Sequence, residues 1–526
     1  MSTTKRWLRT SFVDVFRDFR PSYIPPLMVY LAAGASGLTA IAGTFFVKEY
    51  LGLSAEFLAT LSFWAGIPWT LKIPLGHIVD LIWSRKAILV YLGAGLLATS
   101  MLIMFGLVAY PASMAATLSI EAWFVIATLL APVGYVLQDV VADAMTVEAV
   151  PATNRDGRAF SDAESKSMHT TMQTFGRIAV ILGSVSVALL NIGVFSDASE
   201  LTEDGKALLY ARLYLLALVI PLTSVIGVTI GALSTRAKRQ KPTASPAITA
   251  NWWILGGSAA FVIFTLGTGL SPLPFAQEIV FIGSLLIVLF ILHRLVLELE
   301  PRARWPLLGT AIIIFVFRAT PGPGASVTWW EIDVLGFDQQ FLSVLTLVTA
   351  ALTLAGMLLL RPLIATKSIA NVVVFLSLAS GLLMLPNIGL YYGLHEWTSS
   401  WSAGVIDARF IAILDTMLES PLGQIAMIPM LAWIAQNAPP NLKATFFAVL
   451  ASFTNLALSA SSLGTKYLNQ IFTITREVKD ASTGAVTIAA DYSQVGQLLT
   501  VVAAIVLVAP IATVWLIQRT AFNTKQ

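Results

Sequence analysis

From Ala122 to Thr146 the chain reads AWFVIATLLAPVGYVLQDVVADAMT, and the only charges in that run are Asp139 and Asp143. A helix rises about 1.5 Å per residue and a bilayer core is about 30 Å thick, so a run of this length spans it. Backbone polar groups find no partners in hydrocarbon, which leaves helices and closed barrels as spanning structures. The apolar runs here are unbroken rather than alternating, which excludes the barrel. A carboxylate at membrane depth costs about 3 kcal/mol or more, so it faces a bundle interior or a water-filled path. Asp139 and Asp143 are four apart and share one helix face. Two acids on one face indicate a proton or cation site, or partners for a buried Lys or Arg. The alternative is an ion-pair network that only locks helices together. Glu148, at the expected membrane edge, reads as a solvated cap.

The same pattern recurs along the chain, which is 57% hydrophobic and 12% charged. Fourteen apolar runs are long enough to span, so the expected class is an all-α polytopic membrane protein. Residues 1–24 hold Lys5, Arg6, Arg9, Arg17 and Arg20 with apolar residues at helical spacing. They fit an amphipathic segment on the cytoplasmic face rather than a cleaved signal. Six spans fill 25–233, a basic linker follows at 234–250, a helix pair occupies 251–297, and six more spans fill 305–517. With the N-terminus inside, most of the 32 Lys and Arg residues fall in inside loops. Arg85 and Lys86, Arg155 and Arg158, Arg236 to Lys241, Arg302 and Arg304 are examples. That asymmetry puts both termini in the cytoplasm, and the expected setting is a bacterial inner membrane. Cysteine is absent and there are four histidines. This rules out thiol and Cys-metal chemistry and makes a zinc site unexpected, and no cofactor is expected. No Gly-rich phosphate loop followed by Lys-Ser/Thr is present, which argues against ATP-driven pumping. Nucleic acid is not an expected partner, and the chain is not expected to be an enzyme.

Two six-helix blocks with weak mutual resemblance match the major facilitator layout, with the pair at 251–297 inserted between them. The pair is free of Lys, Arg, Asp and Glu before Glu278 and is expected to face lipid. In the second span, Gly76, Asp80 and then Arg85-Lys86 follow the order of the loop between the second and third facilitator helices. There the glycine allows close helix approach and the aspartate pairs with a basic residue as a cytoplasmic gate. An ordinary positive-inside loop would explain only the two basic residues. Lys72, Arg177 and Arg318 lie inside apolar runs and are expected to face a central cavity. Three buried cations suit an anionic solute, because Arg grips carboxylate or phosphate with paired donors. Arg409 fits an edge ion pair equally well. Asp415 and Glu419 repeat the four-apart pattern before a break at Pro421 and Gly423, which is either a central site or a kink. Trp329-Trp330 and Trp252-Trp253 are expected to anchor the interface. Gly34, Gly37 and Gly43 are expected at close helix contacts.

Several segments resemble the folate–biopterin transporter family. LQDVVADAMTVE at 137–148 is similar to its fourth-helix signature. The stretch IPMLAWIAQNAPPNLKATFFAVLASFTNLALSASSLG at 428–464 resembles the family more specifically. So do Arg318, Pro321, Trp329-Trp330 and the Leu335-Gly336-Phe337 turn, and Lys72-x-Pro74 through Asp80 matches the second-helix motif. The second loop is shorter than is usual there, and the inserted pair is extra; muropeptide permeases tolerate such a pair. The resemblance implies carriage of folates or pterins on a proton gradient. Lys72, Arg177 and Arg318 would hold glutamate carboxylates. Asp139 or Asp143 would meet the pterin ring, and Asp139, Asp143 and Asp415 are the candidate proton sites. The alternatives are a permease for muropeptides or other organic anions, and a non-transporting assembly factor on a facilitator scaffold.

Overall fold

The computed structural model describes residues 19–51, 53–151, 160–237, 252–269, 271, 273–297, 301–364, 368–420, 443–479 and 485–523. Most of the expected amphipathic segment 1–24, most of the linker 234–250 and the Pro421–Gly423 break therefore lie outside the described residues. Among the described residues, eight helical stretches are long and apolar enough to cross a membrane. They are Pro21–Tyr50, Ala87–Ala109, Ile120–Thr146, Thr174–Val194, Glu203–Ser234, Gln339–Gly356, Ile369–Tyr391 and Val495–Gln518. The inserted pair contributes the shorter apolar helices Ala259–Gly269 and Ala276–Phe290.

In chain order the helices are α1 (Ile24–Gly34), α2 (Ala40–Tyr50), α3 (Ala55–Gly66), α4 (Lys72–Leu81), α5 (Ala87–Ala109), α6 (Ile120–Ala149) and α7 (Asp162–Val194). Next come α8 (Glu203–Leu216), α9 (Val219–Ala237), α10 (Trp252–Gly269), α11 (Ala276–Leu297), α12 (Pro301–Arg318) and α13 (Ala325–Asp333). The rest are α14 (Gln339–Ile364), α15 (Ile369–Tyr391), α16 (Leu394–Trp401), α17 (Ala408–Glu419), α18 (Lys443–Ile471) and α19 (Val495–Gln518). A small hairpin, β1 (Val478–Lys479) with β2 (Val486–Ile488), joins the last two.

The chain forms two compact units, residues 1–42 with 74–251 and residues 43–73 with 252–526. In the first unit, missing side chains let backbones touch. A Cβ on Gly34 of α1 would sit 1.8 Å from the Val180 carbonyl oxygen of α7, and one on Gly183 would sit 2.4 Å from the Leu31 oxygen. Ser184 Oγ uses that approach to donate to the Gly34 carbonyl at 3.1 Å. Gly93 of α5 and Gly134 of α6 face each other in the same way, each added Cβ reaching the other's carbonyl at 2.5 and 2.6 Å. Small residues are how membrane helices gain van der Waals contact where no hydrophobic force separates protein from lipid. Gly93→Ala is expected to push α5 off α6 and cost about 1–3 kcal/mol of overpacking strain. Thermal melting in detergent reads it as a drop of several degrees. Gly95→Ala, which meets nothing within 4 Å, is the control that keeps the parent melting temperature.

In the second unit, α3 packs along α18, α15 along α19, and α12 between α18 and α19. Its largest apolar cores gather Leu307, Ile313, Ile314, Phe453 and Leu456, and Trp330, Phe337, Leu498 and Val502. The expected span over 305–324 stops at Arg318. Pro321 and Pro323 donate no backbone hydrogen bond, and a residue before proline avoids the helical region. Gly324 then takes φ 79°, a backbone turn that favours glycine.

Candidate functional site

The two aspartates of α6 share a face, and what they meet is supplied by α1 and α7. Tyr30 of α1 donates its hydroxyl to Asp143 Oδ1 at 2.7 Å. Asp139 and Arg177 lie within electrostatic reach of the same phenol. Tyr30 is buried against Val29, Ala142 and Ala179. Its ring fits because residue 176 is glycine: an added Cβ there would lie 3.0 Å from Tyr30 Cε2. A buried tyrosine needs an acceptor for its hydroxyl, and the carboxylate is one. Asp143 and Arg177 are exposed and Asp139 is half-buried. At membrane depth an exposed carboxylate has to face water rather than lipid. Asp139, Asp143 and Arg177 are thus brought together, and the tyrosine that completes the group was not singled out by sequence. Its signal was a lone tyrosine within an apolar run, Met28 to Ala33.

The other sequence-selected residues fall elsewhere. Lys72 opens α4, half-buried, after a 3-10 turn over Ile67–Leu71 whose Trp69 carbonyl accepts from Asn455 Nδ2 at 3.3 Å. The Asp80 side chain lies outside the described residues, and Arg85 is exposed. Among the described residues nothing approaches within 4 Å of a Cβ placed on Gly76, so the close helix contact expected there is absent in this conformation. The ion pair that the loop does make is Lys86 Nζ to Glu148 Oε1 at 2.5 Å, with the ammonium 4.2 Å from the Trp83 ring centre. Glu148 is thus a paired end of α6 as well as a solvated one. Arg409 takes the edge role: it bonds Asp338 Oδ2 at 2.9 Å, while its neighbour Asp407 caps α17 through the Phe410 N–H.

In the second unit Asp415 is buried and accepts from Asn387 Nδ2 at 2.8 Å. Asn387 follows Pro386 inside α15, and Glu331 of α13 lies within electrostatic reach of Asp415. The Glu419 side chain lies outside the described residues. Arg318 is the last residue of α12 and is partly buried. The unwound stretch behind it is held by one polar stripe of α18. Ser461 Oγ donates to the Thr320 carbonyl at 2.7 Å, and Thr465 Oγ1 accepts from the Gly322 N–H at 3.1 Å. Asn469 Nδ2 donates to the Pro323 carbonyl at 3.1 Å, and its Oδ1 accepts from Ser326 Oγ at 2.9 Å. Non-helical backbone at membrane depth persists where protein satisfies it in this way.

At the expected outer end, Lys48 pairs with Asp333 at 2.5 Å and Tyr492 donates to the same carboxylate. Arg476, buried, donates to the Val47 carbonyl and stacks 4.8 Å over Trp329. Burial pulls that guanidinium down to about 10, against the opposing pull of Tyr492 and Asp333. Trp329 and Trp330 are therefore core residues, 2% and 3% exposed, and not the interfacial anchors expected.

The profile of the BT1 family matches residues 33–525. A curated relative, the folate-biopterin transporter of Synechocystis sp., is 24% identical over 459 residues, covering 86% of this chain and 75% of the relative. A solved POT family transporter in complex with 5-aminolevulinic acid superposes with a TM-score of 0.61 at 13% identity, covering 94% of this chain and 95% of its own. The peptide transporter POT gives 0.60 at 14% identity, covering 96% and 95%. The nucleoside transporter NupG gives 0.52 at 14% identity, covering 95% and 98%. These likenesses show that the chain shares its fold with those proteins.

Proposed function

The chain belongs to the BT1 family and is an integral membrane transporter, not an enzyme; from that premise we propose that it carries a folate- or pterin-like organic anion by proton-coupled alternating access. The fourteen-span, two-block layout in a bacterial inner membrane, with both termini cytoplasmic, is part of the same reading. The observation that supports it most is the group formed by Tyr30, Asp139, Asp143 and Arg177. Arg177 offsets one of the two carboxylate charges in the empty carrier. An anionic solute that takes the guanidinium removes that offset, and a proton on Asp143 then returns the group to the charge it carried without solute. Solute and proton are thereby coupled through one shared cation. Lys72 and Arg318 would add grip on a second carboxylate, and Asp415 with Asn387 is a further proton site. Gly76, Asp80 and Arg85 remain the proposed cytoplasmic gate. A scaffold without transport gains nothing from a charged group at membrane depth, which disfavours the assembly-factor reading.

The direct test is uptake of labelled folate into proteoliposomes with and without an inward proton gradient. Gradient-stimulated uptake supports the reading. No uptake beside a working control transporter would overturn the folate assignment and turn the search to muropeptides and other organic anions. Within the site, Tyr30→Phe is expected to slow uptake about tenfold. It removes one charge-assisted hydrogen bond, about 1.5–3 kcal/mol, without changing the ring that fills the Gly176 notch. Equal initial rates for the two proteins would remove Tyr30 from the site.

A further inference from the structure

A cavity of about 480 Å3 opens in the second unit where α3 begins. Glu56, Phe57 and Trp64 line it from α3, Phe275 and Glu278 from the turn into α11, and Lys466 from α18. Its size is that of a small-ligand site. Its charges are two carboxylates and one ammonium. Glu278 Oε1 accepts from Lys466 Nζ at 3.0 Å and from the Tyr467 hydroxyl at 2.5 Å. Glu278 Oε2 is buried and accepts no hydrogen bond among the described residues. Glu56 Oε1 is held by Gln470 Nε2 at 2.5 Å. Phe275 has φ 60°, a conformation rare for an aromatic residue, and the residue is 68% exposed. Leu273, two positions before Phe275, and Ile279 and Ile282, which follow Glu278 in α11, are also exposed.

We propose that this cavity binds the phosphoethanolamine headgroup of a membrane lipid. A primary ammonium is the group that two carboxylates and the face of Trp64 attract together. Lys466 keeps donors beyond its bond to Glu278, and a phosphate is their natural acceptor. The excess of negative charge turns away headgroups that bring a phosphate and no amine. A lipid, rather than a soluble zwitterion, is indicated by the exposed apolar lining residues Phe57 and Phe275 and by the exposed Leu273, Ile279 and Ile282 that flank Phe275 and Glu278 in the chain. The bound headgroup would tie α3, α11 and α18 together, which gives the inserted helix pair a role in lipid sensing.

The test uses the full chain, purified in detergent and stripped of lipid, with thermal melting as the readout. Phosphatidylethanolamine is expected to raise the melting temperature by several degrees and phosphatidylglycerol to leave it within error. Glu56→Gln, which keeps the bond to Gln470 possible, is expected to weaken the phosphatidylethanolamine effect about tenfold in half-saturating concentration. Lys466→Met provides the phosphate arm, with the same loss. Each variant's melting temperature without lipid reports whether it folds. Equal shifts from both lipids, or unchanged affinity in a folded Glu56→Gln protein, would overturn the headgroup site. Soluble phosphoethanolamine acting as strongly as the lipid would overturn the lipid as its source.

Discussion

Asp143→Asn collapses gradient-driven accumulation to equilibration while leaving counterflow exchange intact. One coupled proton and a pH difference of one unit hold the internal solute about tenfold above the external, a driving force of about 1.4 kcal/mol. Asparagine cannot take up that proton, so the ratio falls to about one. It can still accept the Tyr30 hydroxyl through its amide oxygen, so the 2.7 Å contact and the buried ring survive. Exchange needs the solute site and the conformational cycle but no net proton movement, which makes it the internal control. The measurement is the steady-state ratio of labelled solute in proteoliposomes, with exchange measured on the same preparation. Persisting tenfold accumulation would exclude Asp143 as the coupling site and leave Asp139 and Asp415 to be tested alike.

The pairing within this site that sequence showed is the one that lies within one helix; Arg177 was singled out as a buried cation, but not as the neighbour of these acids. Asp139 and Asp143 were legible because helical periodicity fixes their shared face. Tyr30 was not, because its partner is 113 positions away and no local rule pairs them. The same holds for Lys86, whose partner Glu148 is 62 positions away. Gly93 and Gly134 each read as an ordinary glycine, and only packing shows that their backbones meet. Trp329 and Trp330 follow a Pro-Gly break, a place where aromatics commonly anchor the interface. Arg476 stacked on Trp329 and Tyr391 packed 5.7 Å from Trp330 take the place of that interface. Eight of the fourteen expected hydrophobic spans meet helices long and apolar enough to cross a membrane among the described residues, since span length follows from bilayer thickness and not from any long-range contact.

Pro321-Gly-Pro-Gly interrupts the helix that the apolar run over 305–324 promised, and what keeps the interruption in place was not legible in the sequence. Asn469→Leu is expected to release it. The side chain is 6% exposed and serves two clients at once, the Pro323 carbonyl and the Ser326 hydroxyl. Leucine fills a similar volume and serves neither. Ser326 Oγ still donates to the Pro323 carbonyl at 3.2 Å, so neither group is stranded, but the two bonds that tie them to α18 are lost at about 1 kcal/mol each. Against a total stability of about 5–15 kcal/mol, that loss is a large fraction. The backbone cannot rescue itself by turning helical, since both prolines lack the N–H that a helix would use. Two effects should appear together. The melting temperature in detergent falls by several degrees, and transport is lost, because Arg318 and Glu331 hang on either side of the released segment. Ser462→Ala is the comparison: among the described residues Ser462 bonds only its own helix, at the Leu458 carbonyl, and its loss should change neither quantity. An Asn469→Leu protein that melts and transports like its parent would mean that the unwound segment holds its shape without α18, with Gly324 at φ 79° and the two prolines sufficient by themselves.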